Sequence, residues 1–255
     1  MTKILIVDIE TAPNIAYVWG AWKQNVGLNQ LKESSYLMSF AAKWLGEEDV
    51  MYSENRHGDD AELVARLLTL FDEADMIVAH NAKRFDIPTV LGRAVIHGMA
   101  PPSPFKIIDT LITAKKEFRL FSNKLQYIAD VLGCSAKKKH EKFPGFDLWL
   151  QCLKQNDEAW AEMGEYNIQD VTTLEEVYLK MRPFMRNHPN VAVKGEEGGH
   201  VCPKCGGVHL QRRGFYNTNV GKYQRYQCMS CKGWSRTRFT ELPKEAGRSL
   251  LTNAL

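Results

Sequence analysis

Hydrophobic and polar positions alternate along the chain in a way that sets out strands and helices in turn. Lys3 to Ile9 is a short apolar, β-branched run closed by Asp8 and Glu10, which predicts a buried strand with acids at its carboxyl end. Tyr36 to Trp44 and Asp49 to Ser53 predict the next two strands, and Met76 to Ala79 another buried one. Asp60 to Ala74 carries Leu63, Leu67, Leu70 and Phe71 at helical spacing, with Asp59 or Asp60 as N-cap. A polar turn, His80 to Phe85, leads into a helix over 88–97 that Gly98 ends. A proline-rich connector then reaches a short strand at 106–108 and helices over 110–118 and 125–132. Trp160, Met163, Tyr166, Val171, Leu174 and Val177 predict a long helix over 157–185.

Strands alternating with helices make the fold class mixed α/β. Asn187 to Gly199 is rich in glycine and has no apolar period, so it reads as a linker between a domain at 1–186 and a small one at 200–240, with a tail at 241–255. The longest early apolar run, Ile4 to Val7, falls far short of the roughly 20 residues that span a bilayer. The expectation is a cytoplasmic chain with no membrane partner.

Charge divides the chain. From Val191 onward 11 lysines and arginines face 4 acids, a balance of +7, whereas residues 1–190 hold 22 against 26, or −4. A basic end on an acidic body suits a polyanion, and nucleic acid is the obvious one. Four of the six cysteines lie in that basic end as Cys202-x-x-Cys205 and Cys228-x-x-Cys231, with 22 residues between the pairs. That spacing is of metal ligands, not disulfides. Four thiolates close a tetrahedral structural Zn²⁺ site, which a segment of about forty residues with little core needs in order to fold.

Asp8 and Glu10 are one residue apart, so on a strand both point to one face and repel unless a cation sits between them; solvation at the strand end is the plainer alternative. Asp86 closes His80-Asn81-Ala82-Lys83-Arg84-Phe85-Asp86, where an N-cap is the ordinary role. Asp170 lies one helical turn after Tyr166 and shares its face. Asp109 reads as an N-cap.

Together, Asp8-Ile9-Glu10-Thr11, Asn81 with Phe85-Asp86, and Tyr166-x-x-x-Asp170 resemble, in order and spacing, the three motifs of the DEDD superfamily of DnaQ-like 3′ to 5′ exonucleases, in its tyrosine branch. The resemblance covers residues 1 to about 185 and implies a ribonuclease H-like mixed sheet flanked by helices. It also implies two Mg²⁺ or Mn²⁺ ions: Asp8, Glu10 and Asp170 around the ion that activates water, Asp8 bridging to a second, and Asp86 on that second ion directly or through water. Oxygen-preferring ions of this kind, about 3.5 to 4 Å apart, stabilise both the attacking and the leaving oxygen of a phosphodiester. Tyr166 would orient the attacking water. Thr11 and Asn81 would touch the terminal nucleotide, with local capping and turn formation as their alternatives.

The C-terminal segment is similar to the zinc ribbons of transposases, carried by the two knuckles, Arg212-Arg213-Gly214 and Tyr223-Gln-Arg225-Tyr226. Cations interleaved with flat rings (Arg212, Arg213, Lys222, Arg225 and Arg236 beside Phe215, Tyr216, Tyr223, Tyr226 and Trp234) compose a surface for single-stranded nucleic acid, although some of those rings must form the ribbon's core. Lys137, Lys138, Lys139 and Lys142 would grip phosphates or simply be solvated. Trp19 and Trp22 would stack on bases, with core packing as the default. The expected activity is a metal-dependent 3′ to 5′ exonuclease on single-stranded or frayed DNA ends, releasing nucleoside monophosphates. An exoribonuclease, a structure-selective endonuclease of the same fold and a non-catalytic nucleic-acid adaptor are the alternatives. Protein partners are not legible.

Overall fold

The computed structural model describes residues 2–135, 142–194 and 199–254. They form two compact units, Lys3–Tyr178 and Thr2 with the residues from Leu179 onward.

The first unit is built on a five-stranded sheet. In chain order its strands are β1 (Ile4–Thr11), β4 (Leu37–Trp44), β5 (Met51–Glu54), β6 (Met76–Ala79) and β7 (Lys106–Asp109), with a small hairpin, β2 (Ile15–Ala16) and β3 (Leu31–Glu33), inserted after β1. The spatial order is β5-β4-β1-β6-β7. β4 runs antiparallel to β1 and β6 runs parallel to it. Parallel strands need long crossovers, which here are the helices. α1 (Ala61–Glu73) joins β5 to β6, and α2 (Asp86–Ile96) joins β6 to β7. α3 (Thr110–Glu117), α4 (Leu125–Leu132), α5 (Asp147–Leu153) and α6 (Asp157–Met181) follow.

Side chains alternate across β1 with period two. Leu5, Val7 and Ile9 bury against Leu63, Leu67 and Phe71 of α1 and Ile87 and Val90 of α2. Asp8 and Glu10 therefore face the opposite layer, where Met38, Leu148, Trp160 and Met163 join α5 and α6 in a second cluster. α6 is fastened over β4 by the buried ion pair of Lys43 with Glu175, whose other oxygen accepts the Gly46 N–H at 2.8 Å. It also comes close to β5. A Cβ at Gly164 would lie 3.2 Å from the Tyr52 ring, tighter than an ordinary contact. Gly133, at φ +61°, ends α4 in the left-handed conformation that glycine adopts without strain.

The expected strands and helices of this unit are present, with ends shifted by a few residues. α6 stops at Met181 because Pro183 opens a 3-10 turn over Arg182–Phe184. The hairpin β2–β3 and helix α5 were not foreseen, since both are too short to show a period. The expected lysine cluster at 137–139 lies outside the described residues. Lys142 pairs with Glu158.

In the second unit β8 (Leu210–Asn217), β9 (Lys222–Cys228) and β10 (Trp234–Arg236) form an antiparallel sheet in the order β10-β9-β8. A short helix, α7 (Lys244–Ser249), lies in the segment expected to be a bare tail. Among the described residues, no helix is long and apolar enough to cross a membrane.

Candidate active site

The acids meet at the carboxyl end of the central sheet because β1 outruns its parallel neighbour. β1 pairs with β6 only from Ile4 to Ile6, yet with β4 as far as Thr11, where the register shifts by a bulge after Glu10. Asp8 and Glu10 thus stand past the point where β1 and β6 part, beside a topological switch, the usual place for a site in such sheets.

α6 supplies the facing side. Tyr166, Asn167 and Asp170 lie within two turns of the helix and project towards β1. Asn167, fully buried, donates from Nδ2 to Asp8 Oδ2 at 2.7 Å and to the Asp8 carbonyl oxygen at 3.3 Å. Its Oδ1 accepts from Ser39 Oγ at 3.1 Å, and Ser39 is the cross-strand partner of Glu10. Tyr166 donates its hydroxyl to Asp170, and its ring meets Trp149 edge-on at 6.2 Å. Burial first, then the charges of Asp170, Glu10 and Asp8, push the Tyr166 hydroxyl well above its ordinary range. All three carboxylates are near enough for their charge to be felt at this one phenol.

Asp86 reaches the same end from β6. Its N-cap alternative does not hold, since Asp86 is the first residue of α2 and Phe85 takes the cap position. The side chain is 1% exposed, and its Oδ2 has no hydrogen-bond partner among the described residues. Burial above all pushes the carboxyl up to about 7, helped by the charge of Asp109 and opposed by the backbone N–H groups of Asp86 and Ile9. An orphaned buried carboxylate oxygen is costly unless it carries a proton or faces a cation. The donor set of four carboxylates therefore fits hard divalent ions. Asp109 is used otherwise, accepting from Ile112 N–H at 2.9 Å as the N-cap of α3 and from Lys83 N–H at 3.0 Å.

Thr11 sits at the bulge, paired with Leu37. Asn81 adopts φ +83°, and its carbonyl accepts from the N–H groups of Arg84 and Phe85, both at 3.0 Å, so the turn that aims Asp86 is built on it. Asn167 is the site residue that sequence reasoning missed. No periodic signal marks it, since its role appears only once its partners Asp8 and Ser39, on other elements, are known.

Among the described residues, two groups of ligand-type side chains converge to within 4.8 Å, and the acids at β1 are not one of them. The first is Asp59, Asp60 and His97. Asp60 is fully engaged there. It accepts from Arg93 at 2.8 and 2.7 Å, from the Leu37 N–H at 2.8 Å and pairs with His97 at 2.6 Å, so no oxygen is left for an ion. Burial opposes its ionisation, but these donors outweigh it and hold the carboxyl below its usual range. The second group is Cys202, Cys205, Cys228 and Cys231. The Sγ atoms of Cys202 and Cys231, and of Cys205 and Cys228, are 3.6 Å apart. That is far from a disulfide's roughly 2.05 Å and close to the about 3.8 Å edge of a tetrahedron with Zn–S near 2.3 Å. Gly207 and Gly233 donate backbone N–H groups to Cys205 and Cys231, both at 3.4 Å. Burial raises Cys202, Cys205 and Cys231, whereas at Cys228 the N–H groups of Cys231 and Ser230 and the neighbouring thiols overcome burial and bring the thiol down to about 7.

Around this knot the expected contact residues separate. Arg212 and Arg213 are exposed on β8. Arg225 lies 4.8 Å over the Trp234 ring, and Arg236 lies 4.0 Å over Tyr223 and 5.6 Å over Tyr216. Tyr226 is instead 7% exposed and packs against His200 at 5.2 Å, so it belongs to the ribbon's core. Trp19 and Trp22 depart from their default: they are 99% and 86% exposed.

A family model of the RNase H superfamily, RNase_H_2, matches residues 5–182. Among the 128 chains of solved structures that match is the family B DNA polymerase from the hyperthermophilic archaeon Pyrobaculum calidifontis. It is similar at 15% identity and a TM-score of 0.50 over 72% of this chain, which spans 26% of the polymerase's length; the likeness is one of fold. No curated protein sequence matches.

Proposed function

This chain belongs to the RNase H superfamily, and on that premise we propose that it is a metal-dependent 3′ to 5′ exonuclease acting on single-stranded or frayed DNA ends. What supports the reading is the contact of α6 with β1 through Asn167 and Asp8, which brings the charges of Asp8, Glu10 and Asp170 to bear on the Tyr166 hydroxyl, with the orphaned Asp86 oxygen at the same sheet end. Asp8, Glu10, Asp86 and Asp170 would hold two Mg²⁺ or Mn²⁺ ions. When bound, such ions lower the pKa of a coordinated water and stabilise charge on the attacking and leaving oxygens.

The chain's own residues do the rest. Asn167 fixes one oxygen of Asp8 by its 2.7 Å donation. Tyr166, kept neutral by burial and its carboxylate neighbours, offers a hydroxyl that orients the attacking water. The turn at Asn81 fixes where α2 begins and so where Asp86 stands. Four cysteines would hold one structural Zn²⁺, and the arginines and rings of β8–β10 would hold the substrate strand by phosphate contact and base stacking.

The test is a time course with one 5′-labelled strand, as DNA and as RNA, with Mg²⁺, Mn²⁺ or chelator, resolved on a denaturing gel. A metal-dependent ladder shortening from the 3′ end, absent in Asp170→Asn, is the expected result. Undiminished cleavage by that variant overturns the site assignment. Faster loss of RNA moves the substrate to RNA, and retained binding without cleavage of either strand moves the chain to the adaptor reading.

A further inference from the structure

Two segments beside the acid cluster present side chains that neither the core nor the proposed chemistry uses. The first is the hairpin arm between β1 and β4. It carries Trp19 and Trp22 almost wholly exposed, with Tyr17 at 68% and Leu28 at 92%. Large rings left in water within a few residues of each other mark a surface that is covered in use. The arm is ordered by its own hydrogen bonds: Tyr17 N–H to Gln30 O at 2.9 Å, Gln30 Nε2 to Tyr17 O at 3.0 Å and Gly27 N–H to Gln30 Oε1 at 2.8 Å. It continues the β1–β4 ladder past the acids, through Ala12 N–H to Tyr36 O at 2.9 Å and Ser35 N–H to Asn14 Oδ1 at 2.8 Å.

The second segment is the α3–α4 connection, where Phe121 is 96% exposed. It is tied to the end of β6 by His80, the residue before Asn81. One ring nitrogen of His80 lies 2.9 Å from Thr110 Oγ1 and the other 3.0 Å from the Asn123 carbonyl. Because the strand order is β4-β1-β6-β7, the arm leaves from one side of the acid-bearing edge and the Phe121 segment from the other.

Charge says what covers them. Between β1 and β4 the arm has two lysines, Lys23 and Lys32, and one acid, Glu33, which pairs with Lys32 at 3.1 Å, and the Phe121 segment has Arg119 and Lys124 and no acid. Both stand in a part of the chain that is otherwise net acidic. Exposed rings amid amides and lysines suit bases on a phosphate chain. We propose that the Trp19–Trp22 arm and Phe121 form an aromatic clamp that stacks on unpaired bases next to the nucleotide held at the acids. The choice of substrate rests on the nuclease reading above; the stacking itself does not.

The clamp is tested by equilibrium binding with the full chain carrying Asp170→Asn, so that strands stay intact. Anisotropy is read on a labelled 12-nucleotide DNA strand and on an abasic strand of equal length, at salt that screens phosphate contacts. Trp19→Ala with Trp22→Ala should weaken binding of the normal strand at least about tenfold, as should Phe121→Ala, and leave the abasic strand unchanged. Phe at both tryptophan positions should restore most of it. Unchanged affinity for the normal strand, or equal losses on both strands, overturns the clamp. So does self-association of the parent chain in sedimentation that the double alanine variant abolishes without altering strand affinity. Failure of the nuclease reading looks different: the parent chain binds bases through these rings yet leaves strands uncut.

Discussion

Asn167 Nδ2 stands 2.7 Å from Asp8 Oδ2 on a chain of buried hydrogen bonds that runs on through Ser39 to β4. Asn167→Ala leaves the Ser39 hydroxyl and the Asp8 carboxylate short of a partner in the interior. The expected loss of stability is about 1 to 3 kcal/mol. Residues that orient a metal ligand typically matter about 10- to 100-fold in metal affinity or activity, so the metal concentration for half-maximal cleavage should rise by that order. A metal titration with Asn167→Ala and Ser39→Ala checks this, and an unmoved half-maximal concentration in Asn167→Ala counts against an orienting role.

The Asp60 pair gives the chain a specific response to acid. Its folded pKa lies below the roughly 3.9 of an unfolded aspartate, so the stability it contributes is present above about pH 4 and is lost as pH falls through the folded value. Asp60→Asn leaves Arg93, whose side chain is 16% exposed, without its counter-ion. Unfolding by urea should show a deficit of about 3 to 5 kcal/mol at pH 7 that narrows towards pH 3. A deficit independent of pH would refute the role of ionisation.

Metal removal should act on the second unit alone. The chain is expected to carry zinc equimolar with protein, and chelation or Cys228→Ser should strip amide-exchange protection from β8–β10 while β1, β4 and β6 keep theirs. Protection of β9 that survives chelation would show that the four thiols need no ion.

Arg212 and Arg213 are exposed and, among the described residues, do not stack on rings as Arg225 and Arg236 do. Replacing both with Gln should lower the slope of log affinity against log salt by about 1.4 for a single strand, two phosphate contacts' worth. An unchanged slope would remove β8 from the binding surface.

Periodicity was a good guide wherever an element was long enough to repeat: 76–79 and 125–132 end where the apolar pattern ends. It was blind to β2–β3 and to α5, which hold two, three and seven residues. The acids were legible because strand alternation alone puts Asp8 and Glu10 on one face, and helical spacing puts Tyr166 beside Asp170. Asn167 was not, since an amide in a helix has no pattern until its partner on another element is known. Trp19 and Trp22 misled for a related reason: an aromatic residue ordinarily signals a core, and only tertiary structure shows that this hairpin reaches past it. The cysteine spacing announced the tetrahedral cluster, but Tyr223 and Tyr226 looked alike until one proved half-buried under Arg236 and the other buried in the ribbon's core.

The gap at Gly164 acts as a gauge block for the whole site. Glycine within a helix costs about 1 kcal/mol relative to alanine, so its place opposite Tyr52 has to be explained by what it permits, which is a helix seated low over the sheet. Asn167 follows about 4.5 Å along the axis and Asp170 about 9 Å, on a rod too stiff to absorb an offset between them. A single methyl group at Gly164 would have to lift that rod or turn the Tyr52 ring, whose hydroxyl donates to Glu54 at 2.9 Å. Lifting the rod would be felt at Asp8 through Asn167. Tolerance at the acids, of the order of 0.5 Å for aligned catalytic groups, is thus set by a residue that touches none of them.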